Sequence, residues 1–167
     1  MRSFLFYILF VVILSGCSLS YKFNGASIDY NLTKTITISE FPNQAPLVYP
    51  PLEQRFNEEL KDLFTRNTRL QFVKQNADLE MEGEIVGYAL TPLAVQEDSF
   101  ASETRLTLTV RMRYRNNKEE GQDREESISA YRNFPADRML TDVQDQLIGE
   151  LVKEIADQIF NVTMSNW

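Results

Sequence analysis

Two stretches of strict alternation constrain this chain more than any other feature of it. From Leu79 to Leu90, Leu79, Met81 and Ile85 fall on one face, and Glu80, Glu82 and Glu84 on the other. From Glu103 to Arg115, Leu106, Leu108, Val110, Met112 and Tyr114 alternate with Thr107, Thr109, Arg111, Arg113 and Arg115. A period of two belongs to a strand with one buried and one wet face. The Thr91–Ser102 connection, opened by Pro92, then makes the pair a hairpin. Lys34–Glu40 alternates as well, with Ile36 and Ile38 opposite Thr35, Thr37 and Ser39. Leu70–Val73 reads as a short strand, and Asp123–Phe134 as a weaker last strand around Ile128 and Tyr131.

Two segments follow the helical period instead. After a Phe41–Pro51 loop carrying four prolines, Leu52, Phe56, Leu60, Leu63 and Phe64 form an apolar stripe against Glu53, Arg55, Glu59, Lys61 and Asp62. Pro51 suits the first turn of that helix, where its missing N–H is not needed. Near the end, Val143, Leu147, Leu151, Ile155 and Ile159 recur at steps of four. Thr141-Asp-Val-Gln144 before them has capping-box form, and Asn161 reads as the stop. The expected fold is α+β: a two-layer sandwich with a mostly antiparallel four-stranded sheet and two helices packed on one face. The other face is then left uncovered.

The amino terminus decides where such a domain works. Arg2 precedes an unbroken apolar run from Phe4 to Leu14, and Leu14-Ser-Gly-Cys17 follows. That order reads as an export signal, and the run falls short of the roughly 20 residues a membrane span requires. The tetrad resembles the lipobox of bacterial lipoproteins, in which the cysteine is acylated and becomes the first residue of the mature chain. The alternative, an uncleaved anchor helix, would have to continue through Ser18, Ser20 and Lys22. The expected organisation is a removed signal over residues 1–16, a lipidated lead over 17–33 and one α/β domain over 34–167. Acyl chains on Cys17 would bury many methylenes at about 0.8 kcal/mol each, enough to anchor the chain.

Composition narrows the chemistry. The chain has 17 basic and 24 acidic residues, and loss of Arg2 with the leader takes the net charge from −7 to −8. This balance argues against nucleic acid as a partner, because that affinity rests on neutralising phosphates. There is no histidine, and the only cysteine is the lipidated one. The usual zinc sites and the Ser-His and Cys-His nucleophile pairs are therefore absent. No glycine-rich phosphate loop appears among the six glycines. The reading is of a non-enzyme without metal or cofactor, since Glu80, Glu82 and Glu84 alternate as a solvated face does.

On the uncovered face the hairpin sets those glutamates beside Arg111 and Arg113. Opposite charges across a sheet contribute roughly 0.2–1 kcal/mol each and help to fix register. The same arginines, with Arg105 nearer the loop, also form a row of planar donors suited to phosphate or carboxylate groups such as those of lipid A-type glycolipids. Arg105, Arg111 and Arg113 are accordingly the candidate lipopolysaccharide-binding residues, chosen from this expected geometry.

Several segments together resemble a known family. They are Phe41-Pro-Asn-Gln-Ala-Pro-Leu-Val48, Asp78-Leu-Glu-Met-Glu-Gly-Glu-Ile-Val-Gly-Tyr88, Thr91-Pro-Leu-Ala94, Arg105-Leu-Thr-Leu-Thr-Val110 and the terminal Asn166-Trp167. In this order, behind a lipobox, they are similar to the lipopolysaccharide-assembly lipoprotein family LptE in its Bacteroidetes-type form. The resemblance implies a two-layer α/β sandwich on the periplasmic side of the outer membrane. It also implies a role as plug and assembly partner of the LptD barrel, helping to deliver lipopolysaccharide to the outer leaflet. Ser18, next to the cysteine, lacks the aspartate that retains lipoproteins in the inner membrane of enteric bacteria. Two rival readings remain open: a structural lipoprotein subunit of another envelope complex (secretion or gliding machinery) and a periplasmic hydrolase working through carboxylates.

Overall fold

The computed structural model describes residues 28–93 and 102–164. The signal segment, Cys17, Ser18, the 94–101 part of the hairpin connection and Asn166-Trp167 lie outside the described residues. In chain order the elements are β1 (Thr35–Ile38), α1 (Pro51–Asn67), β2 (Gln71–Phe72), β3 (Leu79–Leu93), β4 (Glu103–Asn116), β5 (Arg124–Pro135) and α2 (Leu140–Met164). The sheet order is β2-β1-β3-β4-β5. β3 pairs antiparallel with β4, and β4 with β5, while β1 lies parallel to both β2 and β3. The sheet therefore has five strands where four were expected. The fifth is the two-residue β2 within Leu70–Val73, held by Gln71 N–H to Lys34 C=O at 2.8 Å and Val73 N–H to Ile36 C=O at 3.0 Å.

The inward residues of the three long strands meet both helices. Ile36, Met81, Ile85, Leu108, Val110 and Met112 are buried on the sheet, Leu52, Phe56, Leu60 and Phe64 on α1, and Ile148, Leu151, Ile155 and Ile159 on α2. Each such side chain contributes about 1.5–3 kcal/mol by leaving water. Phe64 and Phe160 meet edge to face at 5.1 Å and tie the helices together. Pro51 stands in the first turn of α1, as expected. The capping box does not form, because α2 already begins at Leu140. Gln144 instead donates to Tyr88 Oη at 2.6 Å. α2 also runs past Asn161 to Met164, with Ile159 and Met164 still buried.

Three local devices fix the sheet. Asp78 accepts from the backbone N–H groups of Lys34 (2.8 Å) and Thr35 (3.0 Å), and its own N–H donates to Thr35 Oγ1 at 2.9 Å. Asn57, buried in α1, accepts from Phe41 N–H at 2.8 Å and donates to Phe41 C=O at 3.2 Å. That bond seats the Phe41 ring under Gly83, where an added Cβ would lie 2.3 Å from both that ring and Arg111 C=O. The proline loop is thereby laid along β3, with Ile85 N–H bonded to Pro42 C=O and Gln44 N–H to Ile85 C=O.

The third device is a bulge between Ile85 and Gly87. Before it, even-numbered residues of β3 point outward; after it, Gly87, Ala89, Thr91 and Leu93 do so. The extra residue also turns the Pro92 nitrogen away from β4, so the ring needs no ladder bond there. Thr91, Pro92 and Leu93, expected in the loop, consequently extend the strand opposite Arg105, Thr104 and Glu103.

Candidate functional site

The sheet face without helices carries the predicted charge rows in direct register. Glu80 stands opposite Arg115, Glu82 opposite Arg113, and Glu84 opposite Arg111. The corresponding ion pairs measure 3.4, 3.1 and 3.0 Å. Arg113 also reaches Glu125 on β5 at 3.3 Å. Glu125, and then Glu82, raises the Arg113 pKa by hydrogen bonding and charge. Exposed pairs of this kind contribute about 0–1 kcal/mol each, so their effect is on register and surface charge more than on stability. Ser39 and Glu40, where the chain leaves β1, rise beside the Glu82 and Glu84 pairs and enclose a groove of about 310 Å³.

Arg105 has a different setting. It lies between Thr91 and Asn133 in the register, its guanidinium carbon 4.0 Å over the Tyr131 ring. Its Nε donates to Asn133 Oδ1 at 3.1 Å, and Asn133 Nδ2 donates to Glu103 Oε2 at 3.0 Å. Among the described residues Arg105 has no ion-pair partner. The three expected arginines thus share one face but divide in state: Arg111 and Arg113 are matched by carboxylates, and Arg105 is braced by an aromatic ring and an amide. With Nε bonded to Asn133, the two Nη groups of Arg105 have no bond among the described residues and can meet an anion.

Reading the sequence missed Glu125, Tyr131 and Asn133 as members of this face. The odd-numbered positions of β5 (Glu125, Ser127, Ser129, Tyr131, Asn133) all turn outward, and Tyr131 is 53% exposed. Their polar alternation was the available signal, blurred by taking Ile128 and Tyr131 as a pair. Ile128 is buried and Tyr131 lies on the opposite face. On the covered side, Tyr114 is pushed up to about 12 by burial and then by Glu119 and Asp123. Among the described residues no helix is long and apolar enough to cross a membrane.

Known structures share this architecture. A minor lipoprotein from Acinetobacter baumannii superposes with a TM-score of 0.52 at 16% identity, over 76% of this chain and 89% of that one. The rare lipoprotein B from Shewanella oneidensis gives 0.52 at 13% identity, over 76% and 92%. A lipoprotein B from Nitrosomonas europaea gives 0.51 at 17%, over 78% and 83%. At such identities the likeness establishes the fold. No curated protein matches the sequence. The lipopolysaccharide-assembly family model, LptE, matches residues 33–163, nearly all of the described domain, and the chain belongs to that family.

Proposed function

We propose that this chain is an outer-membrane lipoprotein, acylated on Cys17 and held on the periplasmic side. In this reading it seats in the lumen of an LptD-type barrel, aids that barrel's assembly and helps deliver lipopolysaccharide to the outer leaflet. The observation that carries the reading is the uncovered face, where Glu80, Glu82 and Glu84 are matched by Arg115, Arg113 and Arg111. The interior of a large membrane barrel is polar and wet. A broad sheet face on which Glu80, Glu82 and Glu84 are each matched by an arginine can lie there with most of its charge compensated. Membership in a lipopolysaccharide-assembly family supports the pathway. The role is one of binding and placement, and it needs no nucleophile or general base.

Within that role we assign Arg105 to the anionic groups of the glycolipid, since its charge is not spent on a carboxylate among the described residues. Arg111 and Arg113 join it as the flanking part of the row. Their first task is to hold the face together. Affinity purification through a tag after Trp167 tests the whole reading. A large barrel as the dominant partner, with a mature chain that begins at an acylated Cys17, is the expected result. Enrichment of a different envelope complex, with no barrel, would overturn it.

A further inference from the structure

Two hydroxyl side chains are buried at the end of the domain where β1 and β3 begin. Tyr114, near the end of β4, is 3% exposed, and Thr33, just before β1, is 4% exposed. Neither hydroxyl has a hydrogen bond among the described residues, and yet no fully enclosed side-chain oxygen there lacks one. Both oxygens therefore open onto a space, and the two residues line the same notch. Buried polar groups in folded proteins are bonded, so an unbonded pair points to an occupant.

Three separate parts of the chain wall the notch. They are the turn from Asp29 to Thr33, the Asn116–Gln122 connection out of β4, and Thr163 in the last turn of α2. Its volume is about 20 Å³, room for a single body the size of a water molecule. The only charged residues in the wall are Asp29 and Glu119. Asp29 Oδ1 accepts from Asn31, and Glu119 Oε2 accepts from Gln122 Nε2 at 2.7 Å. Their other oxygens have no bond, and neither carboxylate has an ion-pair partner among the described residues. The neighbouring cations are engaged elsewhere: Lys118 lies 3.0 Å from Asp78, and Arg124 donates to the Gly121 and Asp123 carbonyls. Lys34, beside Thr33 in sequence, is exposed and not part of the wall. Beyond burial, Glu119 and Asp123 raise the Tyr114 pKa, and only Arg124 lowers it. The last turn of α2 has no basic residue, and the carbonyl end of a helix favours positive charge.

The wall also selects the kind of cation. Its amide nitrogens are turned inward on one another, Asn116 Nδ2 to Gln122 Oε1 and Gln122 Nε2 to Glu119. What remains is oxygen, the ligand of hard cations. Among the described residues no three carboxylates converge, so the set is two carboxylates and neutral oxygens. Two negative charges match a divalent ion. Magnesium keeps several of its waters, which so small a space does not admit, whereas calcium accepts an irregular oxygen shell. We propose that the notch binds one calcium ion, held by Asp29 and Glu119 with the hydroxyl oxygens of Tyr114 and Thr33, and by water on its open side. Binding ties the turn before β1 to the β4–β5 connection against the end of α2. The inference is independent of the barrel and glycolipid roles.

The test takes the full chain in detergent, freed of metal with a chelator, and titrates it with calcium chloride in a calorimeter. Magnesium chloride and sodium chloride at matched ionic strength are separate arms. One site with a Kd on the order of 10⁻⁴–10⁻³ M is expected, the range of extracellular calcium modules. The melting temperature should rise with calcium and not with the other salts. Asp29→Asn and Glu119→Gln should each weaken calcium by about tenfold or more at an unchanged calcium-free melting temperature. Tyr114→Phe, which keeps the ring in the core, should weaken it about threefold or more. Asp62→Asn, an exposed carboxylate outside the notch, should leave binding as it is. Absence of calcium-dependent heat and stabilisation would give the notch to a water molecule and overturn the proposal. So would an equal response to magnesium or sodium, or full calcium binding in both carboxylate variants.

Discussion

At Asp78 one carboxylate determines where two strands meet. It takes both N–H groups at the start of β1, and the Lys118 ammonium lies 3.0 Å away. The Lys34 N–H, with Lys118 and Thr35, holds its pKa well below the ordinary aspartate value of 3.8. A depressed carboxylate stabilises the fold fully above its unfolded pKa, and that stability is lost as pH falls through the unfolded value toward the folded one. Acid unfolding below about pH 4 is therefore expected to be shallower in Asp78→Asn than in the parent. At neutral pH the same variant should lose about 1–3 kcal/mol, measured by denaturant titration. Gly83→Ala is the harsher change, because the new Cβ would lie 2.3 Å from a backbone atom, the Arg111 carbonyl oxygen, and from the fully buried Phe41 ring. About 3 kcal/mol or more of destabilisation is expected, read as a fall in melting temperature. At Arg105 the readout is binding. Arg105→Gln should weaken glycolipid binding in vitro more than Arg111→Gln does, at unchanged melting temperature; equal effects would remove Arg105 from its assigned role.

Among the elements, α2 and the β3 bulge make separate contributions. Leu151 is fully buried where α2 crosses the sheet, and Leu151→Ala should cost about 2–5 kcal/mol through the cavity it leaves. Deleting Val86 removes the unpaired residue of the bulge and leaves Ile85 opposite Val110 and Gly87 opposite Thr109, so Tyr88 and Leu90 keep facing inward. A retained cooperative unfolding transition is the expected result, read by thermal melting, because only a slip of the paired residues would exchange the two faces. The bulge also marks the limit of what the sequence disclosed. Alternation in Leu79–Ile85 and Leu106–Tyr114 was legible because a half-buried strand repeats every two residues. So was the facing of Glu82 and Glu84 with Arg113 and Arg111. β2 was legible as a strand and not as a member of the sheet, since two residues carry no period and the pairing with Lys34 and Ile36 is non-local. The Asn57–Phe41 bond, the bulge and the true ends of α2 depend on tertiary contacts that outweigh local signals. Capping-box residues at Thr141 and Gln144 gave way to the contact between Gln144 and Tyr88.

For the whole molecule, the two layers divide the work. Helices on one side complete the core, and the bare sheet on the other presents matched charges toward one end and the braced Arg105 toward the other. The family match establishes the kind of protein, and the bare face is what the proposed barrel lumen would meet. Thr107 lies near the middle of that face, between Ala89 and Tyr131 in the register. A photo-crosslinking amino acid placed there in living cells tests the central claim most directly. The expected product is an adduct with the large outer-membrane barrel, absent when the same probe replaces Glu58 on the exposed side of α1. An adduct with some other envelope protein, or equal barrel capture from both positions, would contradict the account.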